Sequence, residues 1–121
     1  GDIVNLCGEK ITIYSGEDAN VLPLLALGGK GVISVMANII PKDTHNIVES
    51  FMNGNLEESR RIQLKTLNLI KALFAEVNPM PVKAAMNLFG MKVGKCRMPL
   101  IDMSEKNLEM LKKALIEYEL L

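Results

Sequence analysis

Ser15-Gly16-Glu17-Asp18 gathers two carboxylates and a glycine into one turn, a combination that could serve general acid–base catalysis. Carboxylates favourably placed at the start of a helix are the better account of Glu17 and Asp18. Gly16 would let a backbone amide or carbonyl approach a small ligand, and a glycine required only by the turn explains it equally well. An amine nucleophile needs a lysine held partly neutral at the ligand end of its scaffold. Lys10 and Lys30 precede the two strands described below and so fall at the opposite, structural end. Lys42, Lys65, Lys71, Lys83, Lys106, Lys112 and Lys113 fall on helices, while Lys92 and Lys95 lie in a late loop; each reads as a solvated charge. His45, the single histidine, sits in the first turns of a helix, where a surface position outweighs catalysis. Cys7 and Cys96 are far apart, form no Cys-x-x-Cys pair and adjoin no basic cluster, so a metal site, a redox site and a reactive thiol all lack support.

The elements that must position these groups begin in mid-chain fashion, with Gly1 to Cys7 as the last turn of a helix stopped by Gly8. Ile11-Thr12-Ile13-Tyr14 is β-branched and aromatic and reads as a strand. Residues 15–18 turn the chain into a mostly buried helix over 19–27, with Pro23 tolerable only near its first turn and Gly28-Gly29 ending it. Gly31-Val32-Ile33-Ser34-Val35 is a second strand, apolar enough to be covered on both faces. Strand, helix and strand with short connections form a parallel βαβ unit with a right-handed crossover. Pro41 then opens a helix that runs to about Asn53 and closes at Gly54.

Beyond Gly54 the pattern is helical alone. Asn55-Leu56-Glu57-Glu58 reads as a capping box. Ile62, Thr66, Leu69, Ile70, Leu73 and Val77 make one stripe, with Arg60, Arg61, Lys65 and Lys71 facing away. Asn78-Pro79-Met80-Pro81 breaks that helix. A short helix over 82–89 ends at Gly90, and Ser104 caps a last helix whose apolar face is Leu108, Leu111, Leu115 and Tyr118.

With 121 residues, 49% of them apolar, the chain has the length of one small domain and not of a whole barrel enzyme. Lysine plus arginine balance aspartate plus glutamate at 14 each, so charge suggests neither a nucleic acid nor an anionic membrane as partner. No apolar run approaches the roughly 20 residues of a membrane helix, and no signal segment opens the chain, which reads as soluble and unexported. Its eight methionines are flexible core filler.

Three ordered stretches, Ile13-Tyr14-Ser15-Gly16-Glu17-Asp18, Leu25-Ala26-Leu27-Gly28-Gly29 and Gly31-Val32-Ile33-Ser34-Val35-Met36-Ala37-Asn38, closely resemble the last two barrel strands of the dihydrodipicolinate synthase family. The likeness continues through Asn78-Pro79-Met80-Pro81-Val82-Lys83-Ala84-Ala85 and Arg97-Met98-Pro99-Leu100 to Leu120-Leu121. It covers essentially all of this chain and only the later part of the family's length. The resemblance implies an α/β fold in which residues 1–54 are the last two βα units of a (β/α)8 TIM barrel and residues 55–121 a C-terminal helical region. It implies a cytoplasmic, homo-oligomeric lyase, using no cofactor or metal, that condenses pyruvate with aspartate semialdehyde. The family's imine-forming lysine, its tyrosine and threonine proton relay and its site for inhibitory lysine all belong upstream of this sequence. What carries over is Gly16, whose counterpart lines the pyruvate pocket, and Ile33, whose counterpart packs by its backbone near the reactive lysine. Glu17 departs from the shorter acidic residue common there.

Taken alone, the chain is therefore expected to be an inactive C-terminal part of such a lyase, missing its N-terminal half. Two alternatives have independent appeal: a half-barrel acting as an assembly or binding module, because bare strand edges and apolar faces seek partners, and part of a related pyruvate-dependent aldolase such as sialic acid lyase. The Ser-Gly, Ile-Ser-Val and Asn-Pro-x-Pro motifs favour the synthase over the sialic acid lyases.

Overall fold

A computed structural model describes residues 1–121, the side chain of Glu9 excepted. The elements are helix α1 (Asp2–Cys7), strand β1 (Tyr14–Ser15), helix α2 (Val21–Ala26), strand β2 (Gly31–Val32) and helices α3 (Pro41–Met52), α4 (Leu56–Leu73), α5 (Met80–Leu88) and α6 (Glu105–Glu117). Single 3-10 turns stand at Gly8–Lys10, Asp18–Asn20 and Met36–Asn38. The chain divides into two compact units, 1–65 and 66–121, with α4 beginning in the first and ending in the second.

In the first unit β1 and β2 pair in parallel, Tyr14 opposite Gly31 and Ser15 opposite Val32, with α2 as the crossover. Both strands are shorter than the apolar runs suggest, and they are not covered on both faces: Tyr14 is 53% and Ile33 74% exposed. The ladder pairs only Tyr14 with Gly31 and Ser15 with Val32, with one flanking bond from the Lys30 amide to the Ile13 carbonyl and one from the Ile33 amide to the Ser15 carbonyl, so Ile11, Thr12, Ser34 and Val35 fall outside it. The expected helix over 19–27 is a 3-10 turn followed by α2, with Pro23 in its first helical turn, where the amide it lacks has no intrahelical partner. Gly28, at φ +100°, takes the chain out of α2 through a conformation that side chains disfavour. Pro41 opens α3 as its first residue, and α3 packs against α2 and the Met36–Asn38 turn. Val21, Leu25, Met36 and Ile47 form the dry centre, each buried side chain of this size contributing about 1.5–3 kcal/mol.

The capping box at Asn55 is half made. Asn55 Oδ1 accepts the Glu58 amide at 3.1 Å, but the Asn55 amide is already given to the Ser50 carbonyl, and Glu58 turns to Arg61 instead. Along α4 the stripe of Ile62, Thr66, Leu69, Ile70 and Leu73 is buried, with Arg60, Arg61, Lys65 and Lys71 exposed. Val77 is 64% exposed because the helix ends at Leu73 and the 3.6-residue phase ends with it.

In the second unit α5 packs against α6, whose Leu111, Ala114, Leu115 and Tyr118 are buried. Ser104 occupies the N-cap position of α6 with extended dihedrals, yet its hydroxyl makes no cap bond. It donates to Glu76 Oε1 at 2.7 Å, and the same oxygen accepts the Ser104 amide at 3.0 Å and the Asn107 side-chain amide at 2.7 Å. The Ser104 hydroxyl first, then the Asn107 amide and the Ser104 N–H, hold the Glu76 carboxyl below its usual 4.5. A carboxyl lowered in the folded state stabilises fully above the unfolded value, and that contribution is lost as pH falls through the folded value. The start of α6 is therefore predicted to loosen on acidification below pH 4.5, read as a titration of the Ser104 amide resonance that Glu76→Gln abolishes.

Candidate functional site

The parallel pair ends in one further rung, in which the Ile33 amide donates to the Ser15 carbonyl at 2.8 Å. Gly16 is the next residue on one side of that rung and Ile33 stands on the other, so the two sequence-predicted site residues lie together at the C-terminal ends of both strands. Both are exposed, and a Cβ placed on Gly16 would meet no atom within 4 Å. The space beside Gly16 is therefore free of other side chains, and the Ile33 side chain is 74% exposed.

Local bonds shape the turn around Gly16. The Ser15 hydroxyl donates to the Glu17 carbonyl at 2.7 Å and accepts the Glu17 amide at 3.1 Å, which folds residues 15–17 into a tight turn. Glu17 Oε1 accepts the Ala19 amide at 3.5 Å, as a carboxylate at a helical N-terminus should. Asp18 departs from that reading: it is 1% exposed, and its Oδ2 accepts the amides of Val35 at 3.1 Å and Met36 at 2.8 Å. Gln63 on α4, itself buried, donates to the Asp18 carbonyl at 3.0 Å and accepts the Leu22 amide at 3.2 Å. No sequence motif marks Asp18 as buried. Gln63 did carry a signal, since Ser59, Gln63 and Thr66 are polar residues along the buried face of α4, and buried polar groups require partners.

None of the lysines is buried. Lys10 belongs to the turn after α1 and Lys30 precedes β2, with its amide given to the Ile13 carbonyl at 2.9 Å. Lys95 pairs with Asp102 and Lys112 with Glu109, while Lys83 Nζ donates to the Lys95 carbonyl at 2.7 Å. His45 is exposed and lies 3.4 Å from Glu49 one helical turn on. Cys7 and Cys96 are free thiols, both half-buried. A crevice of about 420 Å³ in the second unit is lined chiefly by Met80, Ala84, Leu88, Ile101, Met103 and Leu108. At its wall Lys83 and Asn87 each give one hydrogen bond, to the Lys95 and Gly94 carbonyls at 2.7 and 3.0 Å. These bonds tie the loop that carries Gly94 and Lys95 to α5.

Comparison with known proteins decides between the alternatives. Residues 1–118 match the model of the dihydrodipicolinate synthetase family. The chain belongs to that family. It is 67% identical over all 121 residues to the 4-hydroxy-tetrahydrodipicolinate synthase of Acetivibrio thermocellus, and it spans 41% of that relative's length. Its backbone superposes on the dihydrodipicolinate synthase of Thermotoga maritima with a TM-score of 0.92 at 42% identity, covering 99% of this chain and 41% of that one. The chloride-inhibited dihydrodipicolinate synthase of Acinetobacter baumannii complexed with pyruvate also gives 0.92, at 32% identity and the same two coverages. Family membership accounts for the parallel two-stranded sheet and the helices that follow it. No helix is long and apolar enough to cross a membrane among the described residues.

Two glycines are predicted to respond differently to a methyl group. At Gly29 a Cβ would stand 2.6 Å from Leu24 Cγ and 3.0 Å from the Leu24 carbonyl, so Gly29→Ala should destabilise by about 1–3 kcal/mol. Gly16→Ala meets nothing and should stay within about 0.5 kcal/mol. Urea unfolding of both variants checks the contrast.

Proposed function

We propose that this chain forms the C-terminal portion of a 4-hydroxy-tetrahydrodipicolinate synthase, with residues 1–54 as the last two βα units of a (β/α)8 barrel and residues 55–121 as its helical extension. The complete, cytoplasmic and homo-oligomeric enzyme condenses pyruvate with aspartate semialdehyde. A lysine amine on an upstream strand adds to the pyruvate ketone and expels water, leaving an imine. In this reading Gly16 lines the pyruvate pocket, where a side chain would intrude on the keto acid, and Ile33 packs by its backbone against the reactive lysine.

The observation that carries the proposal is the meeting of Gly16 and Ile33 at the last β1–β2 rung in a chain that matches this family over residues 1–118. In parallel α/β barrels ligands bind at the C-terminal ends of strands, the end at which Gly16 and Ile33 stand. The pyruvate complex of the Acinetobacter baumannii relative supports the keto acid as ligand. Exposed Tyr14 and Ile33 support a further partner for the sheet, which the N-terminal half of the enzyme would supply. The exposed or half-exposed setting of every lysine supports an upstream source for the amine, because an imine-forming lysine works in a desolvated pocket.

Grafting this chain in place of the matching 41% of the Acetivibrio thermocellus synthase tests the proposal. Borohydride reduction with pyruvate is expected to trap an adduct on a peptide of the grafted enzyme's upstream part, with turnover of aspartate semialdehyde, while the 121-residue chain alone traps none. An adduct on one of this chain's own lysines, or a folded graft that neither traps nor turns over, would refute it.

A further inference from the structure

Asp18 is the only buried carboxylate among the described residues, and nothing in the proposed reaction uses it. Burying a carboxylate costs several kcal/mol unless hydrogen bonds compensate, so its partners show what keeps it there. Oδ2 bridges two consecutive amides, Val35 at 3.1 Å and Met36 at 2.8 Å, at the start of the Met36–Asn38 turn. Oδ1 has no hydrogen-bond partner among the described residues. Behind it, Gln63 donates to the Asp18 carbonyl at 3.0 Å. The residue is thus fixed by its backbone to α4 and fixes the segment after β2 by its side chain.

Two short segments are consequently tied at both ends. Residues 15–18 and 33–36 are joined at one end by the Ile33 amide on the Ser15 carbonyl and at the other by Asp18 on Val35 and Met36. Gly16 lies between the ties on one side, and Ile33 on the other begins the segment they enclose. We infer that Asp18, braced by Gln63, is a positioning residue that sets the separation of Gly16 from the Ile33 backbone, and with it the fit of the keto acid between them. This rests on the function proposed above. Without the carboxylate the two amides must find other acceptors, Met36 being 0% exposed, and the segment carrying Ile33 shifts.

Asparagine discriminates position from charge. Its amide oxygen has two lone pairs and can accept both N–H groups, and its NH2 would replace an oxygen that has no hydrogen-bond partner among the described residues. The experiment uses the grafted enzyme, assayed well below its unfolding temperature as parent, Asp18→Ala, Asp18→Asn and Gln63→Met. Asp18→Ala is expected to raise KM for pyruvate about tenfold or more with kcat changed less than about threefold, and to speed amide exchange at Val35 and Met36. Asp18→Asn should bring both readouts back near the parent, and Gln63→Met should raise KM in the same direction by a smaller factor. A merely structural role would lower the active fraction and the melting temperature and leave KM unmoved. If Asp18→Ala fails to fold, an unchanged KM in Gln63→Met overturns the inference in its place. A parent graft that traps pyruvate, with KM in Asp18→Ala unchanged, overturns the inference alone; a parent that traps none overturns the keto-acid reading and this inference with it.

Discussion

Two backbone amides, those of Val35 and Met36, lie outside any regular ladder, and one buried carboxylate oxygen satisfies both. That requirement sets the geometry of the first unit. A parallel pair as short as Tyr14–Ser15 with Gly31–Val32 has few rungs to hold its register, so the turns at its end must be fixed by other means. Asp18 does this from one side and Gln63 supports Asp18 from the other, which joins strand ends, crossover helix and α4 through a single residue. The energetic logic is asymmetric. Each bond adds only a modest net amount, but removing the acceptor leaves two donors unsatisfied, one of them on a fully buried residue.

The second unit rests on a different balance. Its helices bury apolar stripes, Leu69 and Leu73 on α4 and Leu111 and Leu115 on α6, so its stability is distributed over many dispersive contacts. Polar chemistry enters at the ends of elements, where Glu76 gathers three donors around the start of α6. The lysine ion pairs lie on the surface, where they are screened and contribute little.

Periodicity and punctuation made most of this legible in the residues. Pro41 at the first turn of α3, Gly54 after it, the stripe from Ile62 to Leu73 and the face from Leu111 to Tyr118 all stand where local chemistry puts them. The misses share a cause: each depends on partners distant in the chain. Strand length follows from what lies opposite, so an apolar run over 31–35 yields only two ladder residues. The Asn55 capping box loses its second half because Ser50 had already taken the amide. Asp18 beside Glu17 looks like one more helix-start carboxylate, and only the return of the chain seventeen and eighteen residues later makes it a bridge. Gly16 and Ile33 were singled out by resemblance; their adjacency is a fact of register that no local rule contains.

The placement of the polar groups also bears on how labour is divided within the first unit. An amine that must attack a ketone needs desolvation and a rigid strand beneath it, conditions that none of this chain's exposed or half-exposed lysines meets. What the ends of the two strands offer instead is backbone: a glycine with free space beside it and, at Ile33, an amide given to the Ser15 carbonyl. Backbone walls change little with side-chain rotamer, and they present fixed dipoles at fixed spacing. Precision of this kind depends on the ties behind the wall, here the bonds of Asp18 to the Val35 and Met36 amides and of Gln63 to the Asp18 carbonyl.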